Sequence, residues 1–292
     1  MSKKVITSYK AFDKNMQCRG FQYEVGKEYE MDGEIECCNR GFHACKSPIE
    51  VWNYYDMLNS RYAEVEQSGK IEKEENSTKV CSSHIKIKAE LKLADIINIG
   101  VEWLKDITSP SKVKADGVLN DNGDRRKQIG SSGDSAQIGS SGNSAQIGSS
   151  GDSAKIGSSG YSAQIGSSGN SAQIGSSGDS AQIGSSGYSA KIGSSGDSAK
   201  IGSSGDSAQI GSSGDYAKID STGEDSVIMC AGNSSRAKAK VGSWITLTEW
   251  KWSYEKKRDV PVCVKTEYVD GDNIKADTWY QLKNRKFVEV TE

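Results

Sequence analysis

Residues 128–163 read QIGSSGDSAQIGSSGNSAQIGSSGDSAKIGSSGYSA, and the same nine-residue phrase continues with little change to about Asp220. Ile recurs at 129, 138, 147, 156, 165, 174, 183, 192, 201, 210 and 219, and Ile228 keeps the beat after the phrase decays. A period this short cannot hold a helical repeat, but it suits one strand and one turn of a β-solenoid. Within a unit, Ser135–Ser140 alternates, so Ala136, Ile138 and Ser140 face one side and Ser135, Gln137 and Gly139 the other. Gln alternates with Lys at its position, so the Ala–Ile–Ser side must be the inside. Ser141-Gly142-Asn143 forms the turn, with Gly142 expected to supply a positive φ.

Nine is odd, and an uninterrupted strand would swap its faces at each repeat. The turn must therefore reset the phase, which two units per coil achieve, with about 18 residues per coil and two parallel sheets across a thin core. Ile129, Ile147 and Ile165 then stack on one sheet, and Ile138, Ile156 and Ile174 on the other. Six coils at about 4.8 Å each make a rod of roughly 30 Å. A winding of three units per coil would leave a triangular core that such small inward residues fill poorly.

One position drifts: Asp134, Asn143, Asp152, Tyr161, Asn170, Asp179, Tyr188, Asp197, Asp206 and Asp215 all follow the turn glycine. The expectation is a side chain in solvent where the fold asks only for turn compatibility. The functional reading is that Asp134, Asn143, Asp152, Tyr161, Asn170, Asp179, Tyr188 and Asp197 decorate two edges as a binding surface. A calcium roll is disfavoured because Tyr161 and Tyr188 stand where a carboxylate is needed and Gly-Gly is absent. DNA mimicry is disfavoured because seven Asp face four Lys between Gln128 and Asp220. An ice-binding face would want ranks of Thr, and the outward ranks here are Ser, Gln/Lys and Gly.

Composition agrees with a rod between small domains. Hydrophobic residues make up 35% of the 292, too few for one large core. Thirty-two Gly beside only 3 Pro argue against a disordered linker. A net charge of −2 invites neither double-stranded nucleic acid nor an anionic membrane. There is no apolar leader and no 18-residue apolar run, and 7 cysteines, an odd number, suit a reducing compartment.

The expected fold class is mainly β. A β-solenoid (113–236, with degraded end repeats) is capped by an N-terminal α+β domain (1–112) and a small C-terminal antiparallel β unit (237–292). Ser109–Ser111 is the expected joint, and Asp121–Gln128, a degraded repeat with three basic residues, the expected cap. In the N-terminal domain, SHIKIKAEL places Ile85, Ile87, Ala89 and Leu91 on one strand face. SPIEVWNYYDML predicts a helix with Ser47 as N-cap, Pro48 at its first position and Val51, Tyr54, Tyr55 and Leu58 on one stripe. RYAEVEQSGKI predicts a strand closed by Gly69, and LADIINIGVEWLKD a second helix. Past the repeats, VDGDN and KNRK punctuate successive strands as turns.

The densest reactive cluster is ECCNRGFHACKSP, with Cys37, Cys38, His43 and Cys45. Its spacing does not match the paired knuckles of structural zinc sites, so neither metal nor cofactor is expected. His43 and Cys45 stand two apart on one expected strand with no third residue to orient them as a nucleophile pair.

YKAFDKNMQCRGFQYEVGKEYE, GFHACKSPIEVWNYY, the SSG-rich nonapeptides and VCVKTEYVDGDNIKADTWY together resemble a family of uncharacterised phage and prophage proteins. That resemblance implies provenance, a phage-borne protein acting in the cytoplasm of an infected bacterium or carried on the virion, and no established activity. A second resemblance is to ADP-ribosyltransferase-like folds. In these, a G-F/Y-x-A/S strand precedes a helix ending in aromatics, and a later strand carries a Glu. It maps onto Gly41-Phe42-His43-Ala44, onto Tyr54 with its neighbours, and onto Glu64 or Glu66, with Tyr9 and Lys10 where that family has His or Arg. The resemblance implies His43, Tyr54, Glu64 and Glu66 as candidate catalytic residues. The expected function is non-enzymatic binding of a host protein, other macromolecule or small host signal, in a form compatible with a homo-oligomer and with countering a host defence. The alternatives are a nucleotide- or NAD-using transferase and a virion-associated spacer or adhesive rod.

Overall fold

The computed structural model describes residues 5–74, 77–107 and 127–291. The joint around Pro110 and residues 121–126 of the expected basic cap lie outside them. The chain divides into two compact units, Met1–Trp103 and Leu104–Glu292.

In the first unit the strands are β1 (Ile6–Phe12), β2 (Gln17–Cys18), β3 (Phe21–Gln22), β4 (Glu28–Glu30), β5 (Phe42–Cys45), β6 (Arg61–Lys73) and β7 (Lys79–Leu91). β1 pairs antiparallel with β5 and with β6, and β7 pairs with both β5 and β6. The four strands therefore close on one another as a small barrel, which leaves no free edge among them. Phe12, Phe42, Ala44, Ala63, Val65, Ile85 and Ile87 fill it. One polar node crosses this core: Ser8 Oγ donates to Gln67 Oε1 (2.6 Å), and Gln67 Nε2 donates to the carbonyls of Phe42 (2.8 Å) and Val80 (3.1 Å). Every barrel strand contributes to that node. Burying an amide is tolerable because its donors and acceptor are satisfied.

Ile85 and Ile87 are buried as expected, whereas Ala89 is exposed and Leu91 half-buried. β6 does not end at Gly69; a register shift between Ser68 and Ile71 absorbs its positive φ of 80° and the strand runs on to Lys73. The helix expected after Pro48 is a single 3₁₀ turn, Ile49–Asn53, without a side-chain N-cap. It buries Ile49, Glu50, Val51 and Trp52, and Tyr54 is 46% exposed. The Glu50 carboxylate explains the short turn: it is turned inward to accept from Thr78 N (3.0 Å) and Ser77 Oγ (2.7 Å), so the turn is fixed by tertiary bonds. The later helix α1 (Leu93–Ile107) forms as expected, with Ile96, Ile97, Val101 and Leu104 fully buried. Gly100 lets it approach Ile49, whose Cγ2 would lie 2.6 Å from an added Cβ.

The second unit is a two-sheet β-solenoid. Strands Gln128–Ser131, Gln146–Ser149 and their successors form one parallel sheet, and Gln137–Ser140, Lys155–Ser158 and theirs the other. The register is in phase, Ile147 with Ile129 and Ile165, Ile156 with Ile138 and Ile174, so each coil takes two repeats. Among the described residues each sheet holds seven parallel strands rather than six. The extra coil forms because alternation outlives the repeat: Arg236–Lys238 and Trp244–Leu247 still turn Ala237, Ile245 and Leu247 inward. Both sheets then run on into antiparallel strands. Trp244–Ser253 is at once the last parallel rung and the partner of Arg258–Tyr268, and Ala237 pairs with Tyr280 of a hairpin, Tyr280–Lys283 with Lys286–Glu289. VDGDN and KNRK make turns as expected: Asp270 Oδ1 accepts from Asp272, Asn273 and Ile274 N, and Asn284 and Arg285 take positive φ.

The solenoid turn differs from expectation in which residue bends back. Positive φ, 54–58°, belongs to Ser135 and Ser144 through Ser207, and not to the turn glycine. The glycine is required by proximity. A Cβ on Gly160 would overlap the carbonyl of Gly142 one coil below, and the same holds at Gly178, Gly196 and Gly214. The left-handed Ser costs on the order of 1 kcal/mol and is held by its N–H, which donates to the drifting residue one coil on, as in Ser135 N to Asp152 O (2.7 Å).

Candidate functional site

The drifting solenoid residues are exposed, as expected, but they are not idle. Asp134 Oδ1 accepts from Asp152 N (3.1 Å), Asp152 from Asn170 N (2.7 Å) and Asn170 from Tyr188 N (3.0 Å) along one edge. On the other edge Asn143 accepts from Tyr161 N (3.2 Å) and Asp179 from Asp197 N (2.9 Å). Asp and Asn thus share an acceptor role that links equivalent residues one coil apart. Tyr161 and Tyr188 lack that acceptor, and each interrupts one ladder while its ring stands 57% or 56% exposed. The eight residues fall on two opposite edges and do not gather into one patch. Between the edges, the outer row of one sheet is exposed at Gln137, Lys155, Gln173, Lys191 and Gln209, while Gln146 and Gln164 of the other are buried. The exposed face is a shallow trough floored by glycines and closed at one end by Val227 and Met229.

The enclosed site lies in the barrel unit. A cavity of about 640 Å³ opens over β1 and β5, lined by Tyr9, Lys10, Cys18, Arg19, Phe21, Tyr23, Arg40, His43, Tyr54, Tyr55 and Lys79 among others. Period-two alternation sets Lys10 on the β1 face that carries Ser8 and Phe12, and its side chain is buried among aromatics. Its Nζ donates to His43 O (3.0 Å), lies 3.6 Å from Cys18 Sγ, and sits 5.5 Å from the ring centres of Phe12 and Tyr23. Cys18 Sγ is 2.7 Å from Tyr55 Oη. Burial pushes the Lys10 ammonium below its ordinary pKa, and the Cys18 thiol pulls partly the other way. Burial, with Cys18 beside it, pushes the Tyr55 phenol up, so it keeps its proton.

His43 stands at the wall. Cys38 N donates to its Nε2 (3.0 Å), and burial together with the Lys10 and Lys79 charges pushes its pKa down to about 4, so it is a neutral imidazole acting as an acceptor. Tyr54 forms part of the rim, with Lys79 Nζ 4.8 Å from its ring centre. Lys79 also bonds Glu74 (2.7 Å) and donates to Cys38 Sγ (2.9 Å). The structure thus brings His43 and Tyr54 to one cavity, and it does not bring Glu64 or Glu66. Glu66 pairs with Lys88 at 2.9 Å, and Glu64 sits opposite Tyr9 on β6; neither lines the cavity. Its described lining includes no carboxylate.

Residues 6–99 match a family described only as a domain of unknown function (DUF7666). No curated protein and no solved structure matches the chain. The matched range contains the whole barrel and the residues of its cavity. Among the described residues no group of three or more His, Cys, Asp or Glu is placed to hold a metal ion, and all seven cysteines are free thiols. Cys81 donates to Arg40 O (3.2 Å), and burial pushes its pKa up to about 12.

Sequence reasoning found His43 and Tyr54 and noted Lys10 only as a departure from a pattern. It missed Cys18, Arg19, Arg40, Tyr55 and Lys79 as cavity residues. One signal was available: a lysine in step with Phe12 on a strand whose neighbours are apolar is a lysine pointed into a core.

Proposed function

We propose that this is a non-enzymatic binding protein of phage origin, whose barrel takes up a small host signal carrying both an anion and a planar ring. One observation carries the reading: the cavity combines Arg19, Arg40 and Lys79 with six aromatic side chains and no carboxylate. Cations concentrate an anion in a low-dielectric cleft, and Tyr and Phe faces accept a flat ring. Its volume falls in the range of cavities that hold small molecules. The solenoid serves as a stiff scaffold, because each coil contacts only its neighbours and fixes the distance between its ends. Sequestering a host signal would blunt a defence that depends on it, in the cytoplasm of the infected cell. The transferase reading lacks support at its central point, because both candidate glutamates lie away from the cavity.

Adenosine monophosphate tests the chemistry, with adenosine and ribose 5-phosphate as its two halves. Thermal-shift and calorimetric titration of the full chain should show binding of the nucleotide above either half, and loss of that preference in Arg19→Ala. Failure of all three to bind would overturn the reading.

A further inference from the structure

Lys10 has more chemistry than anion binding requires. Its amine is buried in a protein interior, yet its protein neighbours are a backbone carbonyl, a thiol and two ring faces. Neither Glu64 nor Glu66 reaches it, and the cations Arg19 and Lys79 share its cavity. A buried ammonium ion without a carboxylate partner is costly, and the usual relief is loss of the proton. A neutral lysine amine in a desolvated cleft is a nucleophile toward carbonyl carbon. The nearby Arg19 would hold an anionic group on the same molecule.

We propose that Lys10 is a covalent capture site, forming an imine with a small anionic aldehyde held in the barrel cavity. The proposal rests on the reading of the cavity as an anion-and-ring site. The Nζ lone pair attacks the carbonyl carbon and a C–N bond forms. The carbonyl oxygen leaves as water with both amine protons, and C=N remains; no oxidant or reductant is consumed. Tyr55, whose phenol keeps its proton, lines the same cavity and lies 2.7 Å from Cys18, whose Sγ is 3.6 Å from the Lys10 amine, so a protonated group would be at hand for the departing hydroxyl. Capture of this kind converts weak binding into long residence, a useful property in a protein that sequesters a signal.

The test uses the full chain with pyridoxal 5′-phosphate, which carries ring, anion and aldehyde. Pyridoxine 5′-phosphate serves as the control, since it has an alcohol in place of the aldehyde. Borohydride reduces an imine to a stable secondary amine, which peptide mapping by mass spectrometry then locates. Burial favours the neutral amine of Lys10, so Lys10 should carry more of the label than any exposed lysine. Lys10→Met, of similar length, should lose that label, and pyridoxal without phosphate should label Lys10 less. Binding of pyridoxine 5′-phosphate with no preferential Lys10 adduct from the aldehyde would overturn capture and leave the cavity reading standing. Failure of both compounds to bind would overturn both. The mapping is done on the unmodified sequence, so the result does not depend on how well a variant folds.

Discussion

Two glycines three residues apart in the same repeat should respond in opposite ways to one methyl group. At Gly178 an added Cβ would lie 2.6 Å from the carbonyl carbon of Gly160 and nearer still to its oxygen, where ordinary contact begins at 3.4 Å. The coils, about 4.8 Å apart in a β-stack, would have to separate locally by the better part of an ångström. Two backbone bonds flank the point of contact, Ser177 N to Ser158 O (2.9 Å) and Ser162 N to Asp179 O (2.9 Å), and both would stretch out of range. Each is worth about 0.5–1.5 kcal/mol, so Gly178→Ala should cost roughly 1–3 kcal/mol, the usual range for overpacking. At Gly175 an added Cβ meets nothing within 4 Å, and φ is not positive. Ala in a strand is favoured over Gly by about 0.5–1 kcal/mol, so Gly175→Ala should be neutral or slightly stabilising. Thermal and guanidinium denaturation of the full chain, followed by circular dichroism, compares the two. Equal midpoints, or a Gly178→Ala variant as stable as the parent, would refute the stacking account of the turn glycine.

Other consequences are equally direct. Ile174→Asp places a carboxylate in the solenoid core and should cost about 3 kcal/mol or more, whereas Asn170→Asp keeps the Oδ1 that accepts from Tyr188 N and should change stability by less than about 0.5 kcal/mol; denaturation midpoints decide this. Deleting Gln146–Ala163 removes one whole coil and should leave a cooperative β fold, while deleting Gln146–Ala154 sends every later strand to the opposite sheet and should lower the melting temperature. Equal tolerance would contradict a two-repeat coil. The Asp270 carboxyl is held down to about 2, from 3.8, by bonds from Asn273, Ile274 and Asp272. Its folded value is depressed, so its contribution is complete above pH 3.8 and fades as pH falls toward about 2. Asp270→Asn should therefore flatten stability in that window alone, as read from acid titration of the melting temperature.

The solenoid was legible because its phase is arithmetic: an odd repeat, an inward Ile and a reset at each turn permit few windings. The agent of that reset was not legible. Glycine in a turn suggests positive φ, yet here the bend is made at Ser135 and its equivalents, because the glycine is claimed by a neighbour 18 residues away. Local sequence cannot report a contact made between coils. The same limit hid the ladder of Asp134, Asp152 and Asn170, whose acceptors matter only once the coils are stacked. In the barrel, periodicity gave β7 and α1, but the turn after Pro48 is ruled by Glu50, whose partners Ser77 and Thr78 are remote in sequence. The cavity escaped notice for a related reason. Lys10, Cys18, Tyr55 and Lys79 come from separate strands and loops, and no spacing between them carries a pattern.

A stack of identical parallel coils is a template, and nothing in the repeat itself tells it to stop. The C-terminal strands supply the stop by reversing direction: Arg258–Tyr268 and the Tyr280–Glu289 hairpin pair antiparallel onto the last rungs of both sheets. A further parallel coil arriving from another molecule would meet a ladder with the wrong spacing of donors and acceptors. Pro261, lacking an N–H, and the register shift at Glu249–Trp250 further spoil the outer strand as a docking edge. At this end, growth is terminated by grammar and not by bulk. A gene that gains or loses repeats two at a time can thus change the length of the rod and keep this stop in place.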